Sequence, residues 1–573
     1  SDHFVDLVAR KSFHELFRHL AHKDRIHLVI DEVIDLQYAS RKTFSVAQYT
    51  FFQLLHRIGG LFLCEINIIN HNPDKKCIFV GYKNSNNLMS GFFGCISRRE
   101  CVSDVFYGTD YHSHLGTKRA GMAFYDGTKF VRSIHSLENG YFRNKFEDEL
   151  PRFGESKMGV GVISDSESQP ITITSHLGRY SVVTVSRIDN IKELTESLLQ
   201  QRMHFAELSG SDINATELVA MLIGMGNSIK EGIEYAQSQI KGSCSMLVLT
   251  DYAIYAARDR FGRTPISIGK NDMGYVCASE SSSYTNLGYT YVRDLGPGEI
   301  VQMSADGVRE VTPPGCRKQI CSFLWVYYGY PSAWYEGVNV ENARYENGAA
   351  MARRDTDVDI DYASGIPDSG IGHAIGYANE KGVPYKRPFV KYTPTWPRSF
   401  MPQNQKMRDL VAKMKLLPNE MLTRGQKVMF MDDSIVRGTQ LKDNIVKLHD
   451  TGIKEVHMRI ACPPLIFPCK FLNFSTSRST YDLYTRRVIR DMEGTDNLTD
   501  EICMQYVDPD SPKHKEMVEI MRKHLQLTSL KFQRLDDLVD AIVTEFAGAT
   551  KEAVAADLKA LMAQLVQLGY AEE

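Results

Sequence analysis

The stretch that decides the fold is Val428-Met-Phe-Met-Asp432-Asp433-Ser434-Ile-Val-Arg437-Gly438-Thr439-Gln440. Its first four residues are apolar and predict a buried strand, and two aspartates follow at the carboxyl end of that strand. After a turn, three apolar residues recur at helical spacing: Leu441, Ile445 and Leu448. Gly452 then predicts the end of the helix. A strand, a turn and a helix in this order indicate a parallel, doubly wound sheet, in which ligands bind where strands end and helices begin.

The turn between this strand and this helix has the chemistry to bind a ribose phosphate. Backbone N–H groups from Ser434 to Thr439 can bind the phosphate, together with the helix dipole and the Thr439 hydroxyl, and Gly438 permits close approach. Asp432 and Asp433 would accept hydrogen bonds from sugar hydroxyls and lie beside a divalent cation. The alternative is that the two aspartates only form a turn and a helix cap after a core strand.

The rest of the chain is that of a folded globular protein with several domains. It has 573 residues, of which 43% are hydrophobic and 24% are charged, and its net charge is -3. This charge gives no reason to expect nucleic acid or a membrane surface as a partner, and no apolar run approaches the ~18 residues of a membrane span. Eleven cysteines without a Cys-x-x-Cys pair indicate reduced thiols and therefore a cytoplasmic location.

Hydrophobic patterning divides the chain into four parts. Short β-type runs separated by Gly, Asp and Asn predict two packed sheets between Gly91 and about Val311, and strands alternate with amphipathic helices farther on. A strand is predicted at 26–33 and a helix with one apolar face at 551–570. The predicted parts are an extension of unknown role at 1–88, domains at 89–315 and 316–543, and a helical tail at 544–573.

Several motifs resemble those of one enzyme family. The run at Asp432 resembles the phosphoribosyltransferase signature that binds 5-phosphoribosyl-1-diphosphate (PRPP). Further motifs follow the order seen in amidophosphoribosyltransferases, which make 5-phosphoribosylamine at the start of purine synthesis: Cys321-Ser-Phe-Leu-Trp-Val-Tyr-Tyr, Gly365-Ile-Pro-Asp368-Ser369-Gly370, Val383-Pro-Tyr and Cys462-Pro-Pro. Upstream motifs resemble the glutaminase half of the same enzymes: Arg258-Asp259, Ala278-Ser279-Glu280 and Pro297-Gly298-Glu299.

The resemblance implies a fold for each half. The first half is expected to be an α+β, N-terminal-nucleophile (Ntn) hydrolase-like αββα sandwich of the type II glutamine amidotransferases. The second half is expected to be an α/β type I phosphoribosyltransferase domain with a doubly wound, mostly parallel sheet. Oligomers are usual in this family, so a homo-oligomer is expected, with small molecules as substrates: PRPP, and ammonia or glutamine.

The resemblance also assigns roles in the transferase half. The Asp368-Ser369 turn is expected at the pyrophosphate end of PRPP, and residues 391–400 are expected to form a lid. Three cations are candidates for pyrophosphate contacts, with a solvated surface charge as the alternative for each: Lys391, Arg398 and Lys415. The remaining expected substrate-binding residues are Asp432, Asp433, Ser434, Val436, Arg437, Gly438 and Thr439, with Mg²⁺ at the two aspartates.

Two departures affect the expected metal chemistry. Family members often have serine at the position of Gly370, where it takes part in the metal site, which leaves Ser369 as a possible substitute. Cys321 and Cys469 match two of the four cysteines that hold an iron–sulfur cluster in one branch of the family. Because four thiolates are normally needed, no cluster is expected, and both residues are predicted to be buried thiols.

The glutaminase motifs depart further from the family pattern. Ser90 stands at the position of the cysteine nucleophile, and Ser164 stands where an arginine normally binds the glutamine carboxylate. The oxyanion-hole run corresponds to residues 184–187, and the glutamine-binding aspartate corresponds to Ala215. Glutamine hydrolysis is therefore expected to be lost, and the alternative is that Ser90 is an Ntn nucleophile for another amide. Cys95 is predicted to be a core thiol.

The leading interpretation is an amidophosphoribosyltransferase that uses ammonia. One alternative is a regulatory protein that binds PRPP or a nucleotide without turnover. The other is a PRPP-dependent transferase with a different amine acceptor.

Overall fold

The computed structural model describes residues 90–392, 416–468 and 480–543, apart from residues 139, 166, 210 and 211. The predicted strand at 26–33 and the predicted helix at 551–570 lie outside these residues. Among the described residues, no helix is long and apolar enough to cross a membrane. The domain boundaries given above stay predictions.

The first half consists of two antiparallel sheets with helices. Its strands are β1 (Ser90–Ser97), β2 (Arg119–Tyr125), β3 (Phe130–Ser136), β4 (Met158–Ser164), β5 (Ile171–Ser175), β6 (Gly178–Ile188), β7 (Leu208–Ser209), β8 (Asp212–Ile213), β9 (Gly242–Leu249), β10 (Ile254–Ala257), β11 (Ser267–Lys270), β12 (Gly274–Ala278), β13 (Thr290–Asp294), β14 (Ile300–Met303) and β15 (Val308–Thr312). Its helices are α1 (Val102–Asp110), α2 (Phe142–Phe146), α3 (Ile191–Gln200), α4 (Ala215–Ile223) and α5 (Ile229–Gln239). The sheets have the orders β13-β11-β12-β1-β4-β2-β3 and β15-β14-β10-β9-β6-β5.

Strand β1 explains why these sheets form a sandwich. Its side chains alternate between the two faces of the sheet, as in any strand. Phe92 lies in the core between the two sheets with Leu247, whereas Phe93 packs with Phe106 of α1 on the opposite face. Both faces are covered, so β1 is apolar along most of its length. The expected αββα arrangement is confirmed.

The second half contains the parallel sheet. Its strands are β16 (Trp334–Tyr335), β17 (Val338–Asn339), β18 (Tyr362–Gly365), β19 (Phe389–Lys391), β20 (Leu416–Pro418), β21 (Lys427–Asp432), β22 (Glu455–Ile460) and β23 (Ser529–Phe532). Its helices are α6 (Val340–Arg354), α7 (Gly370–Lys381), α8 (Glu420–Thr423), α9 (Thr439–Asp450), α10 (Tyr484–Glu493), α11 (Asp500–Met504), α12 (Pro512–His524) and α13 (Leu535–Val543). The order is β18-β21-β22-β23, and every pairing in it is parallel.

The predicted strand, turn and helix are β21 and α9. Residues 428–431 are fully buried, because β21 has a neighbouring strand on each side and apolar side chains above and below. Helix α9 ends at Asp450, and Gly452 follows with a positive φ of 80°. The prediction for this segment is confirmed.

A short hairpin formed by β16 and β17 joins the two halves through buried polar contacts. Glu336, at its turn, pairs with the fully buried Arg258 of the first half at 2.6 Å. The Tyr335 hydroxyl donates a hydrogen bond of 2.5 Å to the carboxylate of Glu280, which is also in the first half.

A buried ion pair connects the parallel sheet to the residue that follows α6. Arg459 of β22 donates two hydrogen bonds to Asp355, at 2.5 and 3.0 Å, and Lys531 of β23 donates a third at 2.7 Å. Burial alone would raise the pKa of Asp355, but the hydrogen bonds and charges of Arg459 and Lys531 hold that pKa below its usual value. Removing the carboxylate would leave the Arg459 charge uncompensated.

We therefore expect Asp355→Asn to lower the free energy of unfolding by about 3–5 kcal/mol at pH 7, the usual cost of breaking a buried pair. Because the folded pKa of Asp355 is depressed, its carboxylate contributes its full stabilisation above the unfolded pKa of about 3.9. That stabilisation is lost as the pH falls through the folded pKa.

Urea unfolding of the native protein and the Asp355→Asn variant at several pH values tests this prediction. Asp359→Asn is the control, since Asp359 pairs with Lys427 at the surface and its loss should leave the midpoint unchanged. Equal midpoints for the two variants would contradict the prediction.

Candidate functional site

The carboxyl edge of the parallel sheet brings the predicted transferase residues together. Strand β18 runs beside β21 with Gly365 opposite Met431, so the Asp368-Ser369 turn lies next to the aspartates that end β21. A methyl group added at Gly370 would lie 2.3 Å from the Met431 carbonyl oxygen. The start of α7 can approach β21 this closely only without a side chain, which explains the absence of serine at position 370.

The two aspartates have different environments. Asp433 is fully buried, and its two carboxylate oxygens accept hydrogen bonds from the hydroxyls of Ser369 and Ser434. Asp432 is 7% exposed, and its carboxylate accepts a hydrogen bond of 3.0 Å from the Asp433 N–H. Asp433 therefore holds the turn together, whereas Asp432 lies at the surface of the site.

The donor set fits a cation that is shared with a substrate. Within the described residues, no three or more His, Cys, Asp or Glu side chains form a group that could hold a metal. Mg²⁺ does not need such a group, since it usually binds one or two carboxylates together with substrate phosphates and water. Of the two predicted ligands, Asp432 has the better position, because the oxygens of Asp433 accept protein hydroxyls.

The turn after β21 presents backbone rather than side chains. The Val436 side chain is buried, whereas Arg437 and Thr439 are exposed. Gly438 has a φ of 72°, a conformation that favours glycine, and it directly precedes α9. Over the described parts of the chain, no protein hydrogen bond is donated by the backbone N–H groups of residues 435–439. These N–H groups and the helix N-terminus can bind an anion.

The predicted pyrophosphate contacts are placed only in part. Lys391 of β19 forms an ion pair of 2.5 Å with Asp368, and both side chains are more than half exposed. Arg398 and Lys415, like most of the predicted lid, lie outside the described residues.

The altered glutaminase positions also come together. The Ser90 hydroxyl donates to the Ser164 hydroxyl at 3.2 Å, which in turn accepts from the Glu167 N–H at 3.2 Å. Thr184 of β6 and Thr216 of α4 form a hydrogen bond of 2.7 Å between their hydroxyls. The position assigned to the nucleophile therefore contacts the position assigned to the carboxylate clamp, and Thr184 of the oxyanion-hole run contacts the residue that follows Ala215.

Further hydrogen bonds made by buried side chains connect these altered positions. The Glu167 carboxylate accepts from both the N–H and the hydroxyl of Thr216 at 2.8 Å. Gln169 donates to the Thr184 carbonyl at 3.2 Å and accepts from its N–H at 2.7 Å. The sequence motifs show that family residues are missing at these positions. They do not identify Glu167, Gln169 and Thr216, because these three residues match no motif.

Cys95, Cys321 and Cys462 lie in different parts of the fold. Cys95 is a core thiol, as predicted, with its sulfur 3.4 Å from the Tyr289 hydroxyl. Cys321 is only partly buried, so the prediction of a buried thiol is wrong for it; the reason is that it lies just before the helical turn at 324–328, at the edge of the core. Cys469 lies outside the described residues. Burial, followed by the charges of Asp433 and Asp432, raises the pKa of the Cys462 thiol, which therefore stays neutral.

Comparison with known proteins agrees with this arrangement. The amidophosphoribosyltransferase of Methanocaldococcus jannaschii is 30% identical over 410 residues, which cover 67% of this chain and 86% of that protein. The chain belongs to the amidophosphoribosyltransferase family. The Archaeoglobus fulgidus member is 32% identical over 377 residues, covering 64% of this chain and 81% of that protein. Residues 156–286 match the glutamine amidotransferase domain family.

Two solved structures share the fold. The glutamine PRPP amidotransferase of B. subtilis, in complex with ADP and GMP, has a TM-score of 0.66 at 27% identity, covering 79% of this chain and 92% of that chain. A structure of the allosteric regulatory enzyme of purine biosynthesis has the same score and identity, and covers 91% of that chain. The fold predicted for both halves is confirmed, and so is the enzyme class, since members of this family are pentosyltransferases.

The altered glutaminase positions lead to a prediction about residue 90. Ser90→Cys restores the nucleophile side chain, but positions 164 and 184–187 still lack the residues expected for a carboxylate clamp and an oxyanion hole, and loss of one oxyanion donor alone costs about a hundredfold or more. We expect this variant to release no more glutamate from glutamine than Ser90→Ala, measured by a coupled glutamate assay. Glutamate release by the cysteine variant alone would show that the position still binds glutamine.

Proposed function

We propose that the protein is an amidophosphoribosyltransferase that forms 5-phosphoribosylamine from PRPP and ammonia, the first step of de novo purine biosynthesis. The observation that carries the proposal is the carboxyl edge of β21, where Asp432 and Asp433 precede a turn with N–H groups that can bind an anion. Two of its relatives are named amidophosphoribosyltransferases, and a third is named a glutamine PRPP amidotransferase, which supports the transferase reaction but not the choice of ammonia.

In this proposal, each part of the edge binds one part of PRPP. The turn at 434–439 binds the 5′-phosphate through backbone N–H groups and the N-terminus of α9. Asp432 orients the ribose hydroxyls, and Asp433 fixes the turn through Ser369 and Ser434. Lys391 exchanges its partner Asp368 for the pyrophosphate.

Mg²⁺ at Asp432, when bound, would neutralise charge on the leaving pyrophosphate. Positive charge develops on the ribose as the bond to pyrophosphate breaks, and the negative edge of the sheet stabilises it. The remaining contribution of the protein is to hold the ribose carbon where ammonia can reach it.

The first half then serves as a scaffold rather than as a glutaminase. In its altered site Glu167 accepts hydrogen bonds from Thr216, and Gln169 bonds the Thr184 backbone, so a glutamine amide would have to break several of these bonds to bind. Ammonia would come from solution or from a partner protein.

The test is pyrophosphate release from PRPP and Mg²⁺, with either ammonium or glutamine as the nitrogen source. We expect release with ammonium only, and a rate at fixed total ammonium that rises with pH, because only the unprotonated amine is a nucleophile. Release with glutamine would contradict the loss of the glutaminase. Binding of PRPP without release under either condition would favour a regulatory PRPP-binding protein, and release only with another amine would favour a different acceptor.

We expect Asp432→Asn to reduce the rate of pyrophosphate release by about a hundredfold, because an oriented charged group is lost from the transition state. The double replacement of Asp432 and Asp433 by Asn should abolish release. Asp443→Asn is the matched control, since Asp443 is an exposed carboxylate on the solvent side of α9. Unchanged turnover in the double variant would refute the site assignment. The single variant covers the case in which loss of the buried Asp433 carboxylate prevents folding.

A further inference from the structure

Helix α10, which is not part of the sequence motif, donates hydrogen bonds to the turn between β21 and α9. The backbone N–H of Tyr484, the first residue of α10, donates to the Val436 carbonyl at 2.7 Å. The Arg487 guanidinium, one helical turn later, donates to the Arg437 carbonyl at 2.5 Å. Two successive carbonyls of the turn are thus bound by the same end of one helix.

These two contacts set the direction of the N–H groups. In a planar trans peptide, the C=O and the N–H of the same unit point in opposite directions. Both peptide bonds are trans, so the carbonyls held by α10 turn the N–H groups of Arg437 and Gly438 away from α10. These N–H groups are among those that donate no protein hydrogen bond within the described parts of the chain.

The Tyr484 ring supports the same turn sterically. A methyl group added at Gly438 would lie 3.0 Å from Cγ of that ring and 3.1 Å from Cδ1. The Arg487 guanidinium carbon lies 5.6 Å from the ring centroid, so the arginine and the tyrosine also contact each other. Gly438 therefore packs against the face of the Tyr484 ring, and the ring limits how far the turn can move toward α10.

We propose that Tyr484 and Arg487 are positioning residues for the 5′-phosphate of PRPP. They act through the Val436 and Arg437 carbonyls and so aim the N–H groups that receive the phosphate. The inference rests on the proposed function, since it concerns the affinity of that same site. Neither side chain takes part in the bond changes at the ribose carbon.

Removal of the Arg487 contact should weaken PRPP binding without changing the chemical step. The 5′-phosphate is bound equally in the ground state and in the transition state, so Arg487→Ala should raise KM for PRPP about tenfold and change kcat less than about twofold. Arg487→Lys keeps one donor but loses the planar fork, and should recover part of the affinity. The matched control is Arg490→Ala, because Arg490 lies one turn farther along α10 and pairs with Asp491 instead of the turn.

A double-mutant cycle tests the Tyr484 ring. Gly438→Ala should lower PRPP affinity because of the positive φ and the contact with the ring. In a Tyr484→Ala background the contact is absent and only the backbone strain remains, so the loss caused by Gly438→Ala should be at least about threefold smaller. Equal losses in both backgrounds would overturn the role of the ring.

The two proposals fail in different ways. If the unaltered protein releases pyrophosphate, and Arg487→Ala has the same KM as Arg490→Ala, the positioning role is wrong and the proposed function stands. A fall in kcat at unchanged KM would also overturn it, since that would place Arg487 in the chemical step. If the unaltered protein neither binds nor cleaves PRPP, both proposals are wrong. Direct titration of PRPP against each variant, with a thermal melt to confirm folding, gives the same comparison without turnover.

Discussion

Burial of β21 between β18 and β22 fixes the position of every group at the candidate site. A strand that is apolar on both faces cannot slip by one residue without moving its carboxylates into the core. Its polar residues therefore lie only at its two ends, with Lys427 at the amino end and Asp432 at the carboxyl end, where the next residue, Asp433, is still fully buried. A buried carboxylate is costly unless it is hydrogen-bonded, and the hydroxyls of Ser369 and Ser434 meet that need. The turn before α7 and the turn before α9 are thus held by one charge.

The contacts between the halves give the first half a structural role that does not depend on glutaminase chemistry. The Glu280 carboxylate accepts from the Tyr335 hydroxyl at 2.5 Å and from the Tyr330 N–H at 3.2 Å, both in the second half. It also pairs with His114 of the first half at 2.7 Å. Without the first half, the hairpin of β16 and β17 would lose Glu280 as the partner of Tyr335 and Arg258 as a partner of Glu336, and α6 begins directly after that hairpin. The first half therefore supplies hydrogen-bond and ion-pair partners to buried polar groups of the second half.

Local patterns were sufficient for the fold and for part of the site. The β21 segment is contiguous, so its apolar run, its aspartates and its glycine predict the strand, the turn and the helix without any distant residue. Tyr484 and Arg487 could not be found in this way, because they reach the turn from another helix and their contacts are with backbone carbonyls, which carry no sequence signature. At the altered glutaminase positions, the sequence likewise shows only that the family residues are missing. The hydrogen bonds between Glu167 and Thr216 depend on how the loop after β4 meets α4.

The two ends of the proposed PRPP site differ in how they would bind charge. At the phosphate end, the N–H groups of the turn are oriented in advance by β21, α9 and α10, so little conformational freedom is lost on binding. At the pyrophosphate end, the pair of Lys391 and Asp368 is more than half exposed, and such a pair contributes only about 0–1 kcal/mol. Lys391 can therefore leave Asp368 for a stronger anion at little cost. A rigid anchor at one end and an exchangeable cation at the other suit a substrate that keeps its 5′-phosphate and releases its pyrophosphate.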